Sequence, residues 1–244
     1  MIDDEIENNF RSFFERWSSS LSGNSAKSVE NPLMLQSYKR MLSVQVIRST
    51  VVYKECSPEC GEFFLEAQND ILVSHISAAQ GSWRAALQAM RSFLENSLCV
   101  LYYMDHKVEL RQWQVGQFKI GFSDLCKYIL LHPDYEPYER KFSCVSNLAK
   151  EYATLSKAVH GSSKNFRMAR EAEQLAIFPS DKSSLSQWST RERAVIGNVV
   201  LVYLVFFKNY FQGASNISSR SVMGYCFEKR KKEEIRKELS INLS

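Results

Sequence analysis

Hydrophobic positions recur at helical intervals along almost the whole chain. In the first segment, IDDEIENNFRSFFERWSSSL, the residues Ile2, Ile6, Phe10, Phe13, Phe14 and Trp17 fall on one face of a helical projection. Asp3, Asp4 and Glu5 stand where that helix would present its positive end. The run SSSLSGNSAKS that follows is rich in Ser, Gly and Asn and predicts a linker. Residues 1–30 therefore read as an amphipathic helix tied loosely to the body, free to swap onto a partner.

Asn31-Pro32 predicts a helix start, Asn as cap and Pro at the first helical position. That helix carries Leu35, Met41, Leu42, Val46 and Ile47 and runs to about Tyr53, where ECSPECG breaks it. Two further patterns, about Glu62–Ser77 and Trp83–Met104, are joined by QGS and predict an antiparallel hairpin, with Ser82 able to cap its second helix. The pattern weakens to a short helix and a turn at Gly116. A helix opening at Ser123 and Asp124 ends before Pro133, and HPDYEPYE reads as a loop. From about Glu139 to His160, Phe142, Val145, Leu148, Tyr152, Leu155 and Val159 share a face. Polar sequence leads to a long apolar element from about Thr190 to Phe211, valine-rich but too long for an ordinary strand. Last comes EKRKKEEIRKELS, a charged helix with few apolar residues. The expected architecture is all-α: a bundle over 31–215, preceded by the N-terminal helix and followed by a charged segment over 216–244.

Composition adds limits. Hydrophobic residues make up 45% of the 244 and charged residues 24%, enough for a sizeable core, and the nine Gly and five Pro are too few for a β-sandwich. A net charge of +4 permits an anionic partner without demanding one. The run VVLVYLVFF (Val199 to Phe207) invites a membrane reading. Even with its lead-in from Ala194 it falls short of the ~17–25 residues that a spanning helix needs, so a core element is expected. The first twenty residues are acidic and amphipathic, unlike a secretory signal. Six cysteines without such a signal suggest a reducing cytoplasm and no disulfide framework.

Phosphate-cradling glycine motifs, a GxSxG elbow and the kinase set are absent from the sequence. Cys56 and Cys60 have no second Cys/His pair at zinc spacing, and His106 with Glu109 lacks the rest of a metallohydrolase set. No metal or cofactor is expected. His75 reads as a core histidine and His132 as a helix-end one. His160 differs: it ends a helix, with Lys157 on the same face and Lys164 and Arg167 beyond it. An imidazole can take and return a proton near neutral pH. Nearby cations could hold an RNA phosphodiester and its transition state.

The segments QGSWRAALQAMRSFLENSLCVLYYMDH, LAKEYATLSKAVHGSS and RAVIGNVVLVYLVFFKNYF together resemble the HEPN superfamily, helical bundles that often act as RNA nucleases in bacterial toxin, CRISPR and anti-phage systems. The similarity covers about half the chain and is architectural. The family's motif is an arginine, four to six intervening residues and then a histidine, and here Leu155, Thr154 and Ala153 hold the arginine's positions. Lysine cannot supply arginine's planar fork.

The resemblance implies a metal-independent endoribonuclease or RNA-binding effector of a bacterial defence or toxin system. His160 would be the acid and base and Lys157 the electrostatic helper. Arg91 and Glu95 would come from the earlier helix, where Arg84 also stands within possible reach, and Lys164 and Arg167 would bind RNA. It further implies a homodimer with a composite cleft and a cognate antitoxin or defence protein. The alternative is a catalytically inactive protein-protein interaction module of the same architecture.

Overall fold

The computed structural model describes residues 2–160, 181–213 and 216–243. All regular structure among them is helical: α1 (Ile2–Val29), α2 (Pro32–Ile47), α3 (Tyr53–Glu55), α4 (Pro58–Ala79), α5 (Trp83–Asp105), α6 (Lys107–Gln114), α7 (Phe122–Leu131), α8 (Glu136–Phe142), α9 (Cys144–His160), α10 (Lys182–Phe206), α11 (Lys208–Phe211), α12 (Ile217–Met223) and α13 (Lys229–Leu239). The all-α expectation holds.

The bundle is organised around α10, which packs against α2, α5, α9 and, more lightly, α4. Its residues from Val195 to Val205 are nearly all buried, as expected of a helix enclosed on several sides. The run Val199 to Phe207 is thus core, and no described helix is long and apolar enough to cross a membrane. Asp181 starts α10 by accepting from the N–H groups of Ser183 and Ser184 at 3.0 and 3.1 Å, eight residues earlier than hydrophobicity alone suggested. The α4–α5 hairpin forms as expected around Gly81, whose φ of 77° suits the tight turn. Ser74 locks it by donating to the Ala86 carbonyl at 2.8 Å while accepting from the Trp188 indole at 3.1 Å.

Three local expectations are corrected. The serine-rich stretch after Trp17 is helix, not linker: α1 continues to Val29. Its last turns are tied to the end of α4, where Asn24 Nδ2 donates to Gln80 O at 3.2 Å and Ser28 Oγ to Ala79 O at 3.3 Å. These bonds occupy carbonyls that a helix terminus leaves open, so polar side chains there favour a docked helix. The expected loop after His132 contains α8, and the expected helix from Glu139 is split at Ser143, which is left-handed (φ 53°). Glu139 caps the second half by accepting from the N–H groups of Val145 and Ser146 at 3.3 and 3.2 Å. As expected, the C-terminal segment forms a charged helix, α13; its Ile235 and Leu239, with Ile241 and Leu243 beyond it, are buried and fasten the segment to the bundle.

Candidate functional site

Helices α5 and α9 run antiparallel and pack closely. Two arginines of α5 mark the register between them. Arg84 Nη2 donates to the Val159 carbonyl at 2.6 Å, in the last turn of α9. Seven residues further on, Arg91 meets Tyr152, seven residues back along α9. The Arg91 guanidinium lies 4.7 Å from the Tyr152 ring centroid, and Nη2 also donates to the Tyr152 hydroxyl. Glu95 completes a triangle: it accepts from Arg91 at 3.0 Å and from the Tyr152 hydroxyl. Phe122 of α7 stacks on the other side of Tyr152, with centroids 3.8 Å apart. Burial first, and then the Glu95 carboxylate, push the tyrosine hydroxyl above its ordinary pKa, so it is a donor.

Arg91 and Glu95 are thus brought together, one helical turn apart on α5. Tyr152 precedes His160 by two turns, roughly 12 Å of helix, so this triangle lies near the middle of the α5–α9 packing. Nearer the histidine's end of α9 stands Arg84. Its side chain is exposed, and Val159 takes one of the five N–H donors of its guanidinium. Lys157 lies on the exposed side of α9. The backbone of His160 closes the helix; its side chain, together with Lys164 and Arg167, lies outside the described residues. Tyr152 could be read from sequence only as one apolar-face position, since its polar tip needed Arg91 beside it to acquire meaning.

A second polar cluster sits inside the bundle where α2 crosses α10. Arg40 Nε and Nη2 each approach Glu192 Oε2 at 2.6 Å, and Ser37 Oγ donates to Glu192 Oε1 at 3.0 Å. Ser37 Oγ also lies 2.8 Å from His75 Nδ1. Because the hydroxyl proton goes to the carboxylate, His75 is the donor in that bond, through Nδ1–H. Burial pushes the Glu192 carboxyl up, and Arg40 pulls part of that shift back. Burial and the Arg40 charge push His75 down. Ser37 and Glu192 are fully buried, so this chain of bonds acts in the core.

The other candidates separate from both clusters. His106 stacks on Tyr102 with centroids 3.9 Å apart and bonds its carbonyl, while His132 pairs with Asp105 at 3.1 Å. All six cysteines are free thiols, and among the described residues no cluster of His, Cys, Asp and Glu is disposed to hold a metal ion.

The chain matches no family model, no curated protein and no solved structure.

Proposed function

We propose that the protein is a HEPN-like, metal-independent endoribonuclease that binds RNA along the surface where α5 meets α9 and cleaves it at the end of α9. One observation carries the reading: Arg84 of α5 donates to the carbonyl of Val159, which fixes a guanidinium at the turn of α9 that leads into His160. The arginine that the helix lacks at positions 153 to 155 would be supplied from α5, with the planar geometry that suits a phosphodiester.

In this reaction His160 takes the proton from a ribose 2′-hydroxyl, and the oxygen attacks the adjacent phosphorus. The bond to the 5′-oxygen breaks, the protonated imidazole returns its proton to that leaving oxygen, and a 2′,3′-cyclic phosphate remains. Arg84 stabilises the charge on the non-bridging oxygens. Arg91 and Tyr152 would hold the strand further along, and Lys157, Lys164 and Arg167 would supply electrostatic attraction for its phosphates. A bacterial defence or toxin system, with a cognate antitoxin, is the setting this chemistry fits.

The experiment is incubation of wild type, His160→Ala, Arg84→Ala and Arg84→Lys with labelled RNA in EDTA. Wild type is expected to yield cyclic-phosphate ends, His160→Ala none, and both Arg84 variants at least ~100-fold less. Cleavage that survives in His160→Ala, or the absence of cleavage by wild type, would sink the nuclease reading. The second reading, a non-catalytic interaction module, is favoured by the closed Arg91–Glu95–Tyr152 triangle, whose charges satisfy one another. It requires RNA or protein binding without turnover.

A further inference from the structure

The first five turns of α1 carry a hydrophobic face that the bundle leaves open. Ile6 and Phe10 are 60% and 62% exposed, and Phe13 and Phe14 are 41% and 43% exposed. The rings contact one another along the helix, Phe10–Phe14 at 4.8 Å, Phe13–Phe14 at 5.3 Å and Phe14–Trp17 at 5.6 Å. The helix is anchored to the body much later, through Asn24, Ser25 and Ser28.

We infer that this face pairs with the same face of a second copy, the two α1 helices running antiparallel. Ile6, Phe10, Phe13 and Trp17 are spaced by four, three and four residues, the seam of a two-stranded coiled coil. That spacing reads the same in both directions. Turning one helix over about the point between Arg11 and Ser12 sets Ile6 level with the second copy's Trp17, and Phe10 level with its Phe13.

Charge chooses the same direction. Asp4, Glu5 and Glu7 are crowded at one end of the segment, Arg11 lies at its centre, and at the other end Glu15 and Arg16 offset each other before a run of serines. Antiparallel pairing sets Glu7 level with Arg16 and the rest of the acidic end beside serines, whereas parallel pairing stacks acid on acid. Opposed helix dipoles add to the preference. The acidic bias also argues against a lipid surface, whose helices carry Lys and Arg on the polar face.

Four exposed side chains per copy, with the partly exposed Trp17, each cover at most on the order of 100 Å², so the pair buries no more than about 1,000 Å² in all, the lower limit for a stable interface. Such a pair is weak and reversible. It does not depend on whether RNA is cleaved.

Sedimentation of the full-length chain over roughly 1–100 μM tests this, with Phe10→Glu/Phe13→Glu beside wild type. Wild type is expected to shift from monomer to dimer across that range. The double variant, with unchanged helicity, should dissociate at least ~100-fold more readily. A wild type that stays monomeric throughout, or a double variant that dimerises equally well, overturns the pairing. Direction is read separately by mixing differently tagged Phe10→Cys and Phe13→Cys proteins and mapping disulfides by mass spectrometry. Cross-links between positions 10 and 13 are expected to dominate; dominant 10–10 and 13–13 links overturn the antiparallel register.

Discussion

Two of the molecule's Arg–Glu pairs stand in opposite circumstances. Arg40–Glu192 joins α2 to α10 at 2.6 Å with side chains 5% and 0% exposed. Arg91–Glu95 lies along α5 at 3.0 Å with side chains 26% and 37% exposed. Both look like salt bridges, but water makes them different objects. In the core, neither ion can recover its hydration, so each is held by the other and by Ser37 and Ser189. On the partly exposed side of α5, solvent competes with the pair, and little free energy would be lost if Arg91 left Glu95 for an anion. Burial turns the first into a structural fastening, and partial exposure leaves the second available to a ligand.

The largest effect should come from cutting the buried pair on one side. Arg40→Ala strands Glu192 in the core, and chemical denaturation should show a loss of about 3–5 kcal/mol. Replacing both partners by apolar residues, Arg40→Met with Glu192→Leu, should recover most of that loss, because the cost lies in the unpaired ion rather than in the missing attraction. If the double variant is as unstable as the single one, the fastening is doing something other than balancing charge.

Ser37→Ala should cost about 1–3 kcal/mol in the same measurement, since it removes a donor to Glu192 and leaves the Nδ1–H of His75 without its acceptor. A pH titration reads this chain of bonds independently. The folded-state pKa of His75 lies below its ordinary 6.5, so the unfolded chain binds the proton more readily. The histidine's contribution is complete above pH 6.5 and declines as pH falls through that value toward the folded pKa. Wild type should accordingly lose stability between about pH 7 and pH 5, and His75→Gln should flatten that part of the profile.

The smallest effect on stability belongs to the partly exposed pair. Arg91→Ala should change unfolding free energy by less than ~1 kcal/mol while measurably weakening RNA binding in a salt-dependent assay. A variant that unfolds readily, or that binds RNA as well as wild type, would erase the distinction between the two pairs.

Much of the fold was legible because helical periodicity records which side of each segment faces inward. The hairpin at Gly81, the helix ending at His160 and the apolar α10 all follow from it. Three features escaped for local physical reasons. The Ser-rich end of α1 resembles a loop until its side chains find the carbonyls of α4. Ser143 gives no glycine signal for the left-handed break that separates α8 from α9. Glu192 reads as a charge bounding an apolar run, yet it lies three and four residues before Val195 and Ile196 and so falls on their inward face. In the candidate site, Arg91, Glu95 and Arg84 entered only through the family resemblance, and Tyr152 looked like one more apolar-face residue.

By itself the sequence determined that the chain is helical, roughly where most helices lie, which faces are apolar, and that the run after Ala194 is core, since these depend on contacts within a few residues. Tertiary structure alone decided which arginine stands beside the end of α9, which carboxylate enters the core, and that the face of α1 is left open. Each of those depends on the register between helices far apart in sequence. There, one residue of slip rotates a helix by about 100° and changes every side chain that meets across the interface.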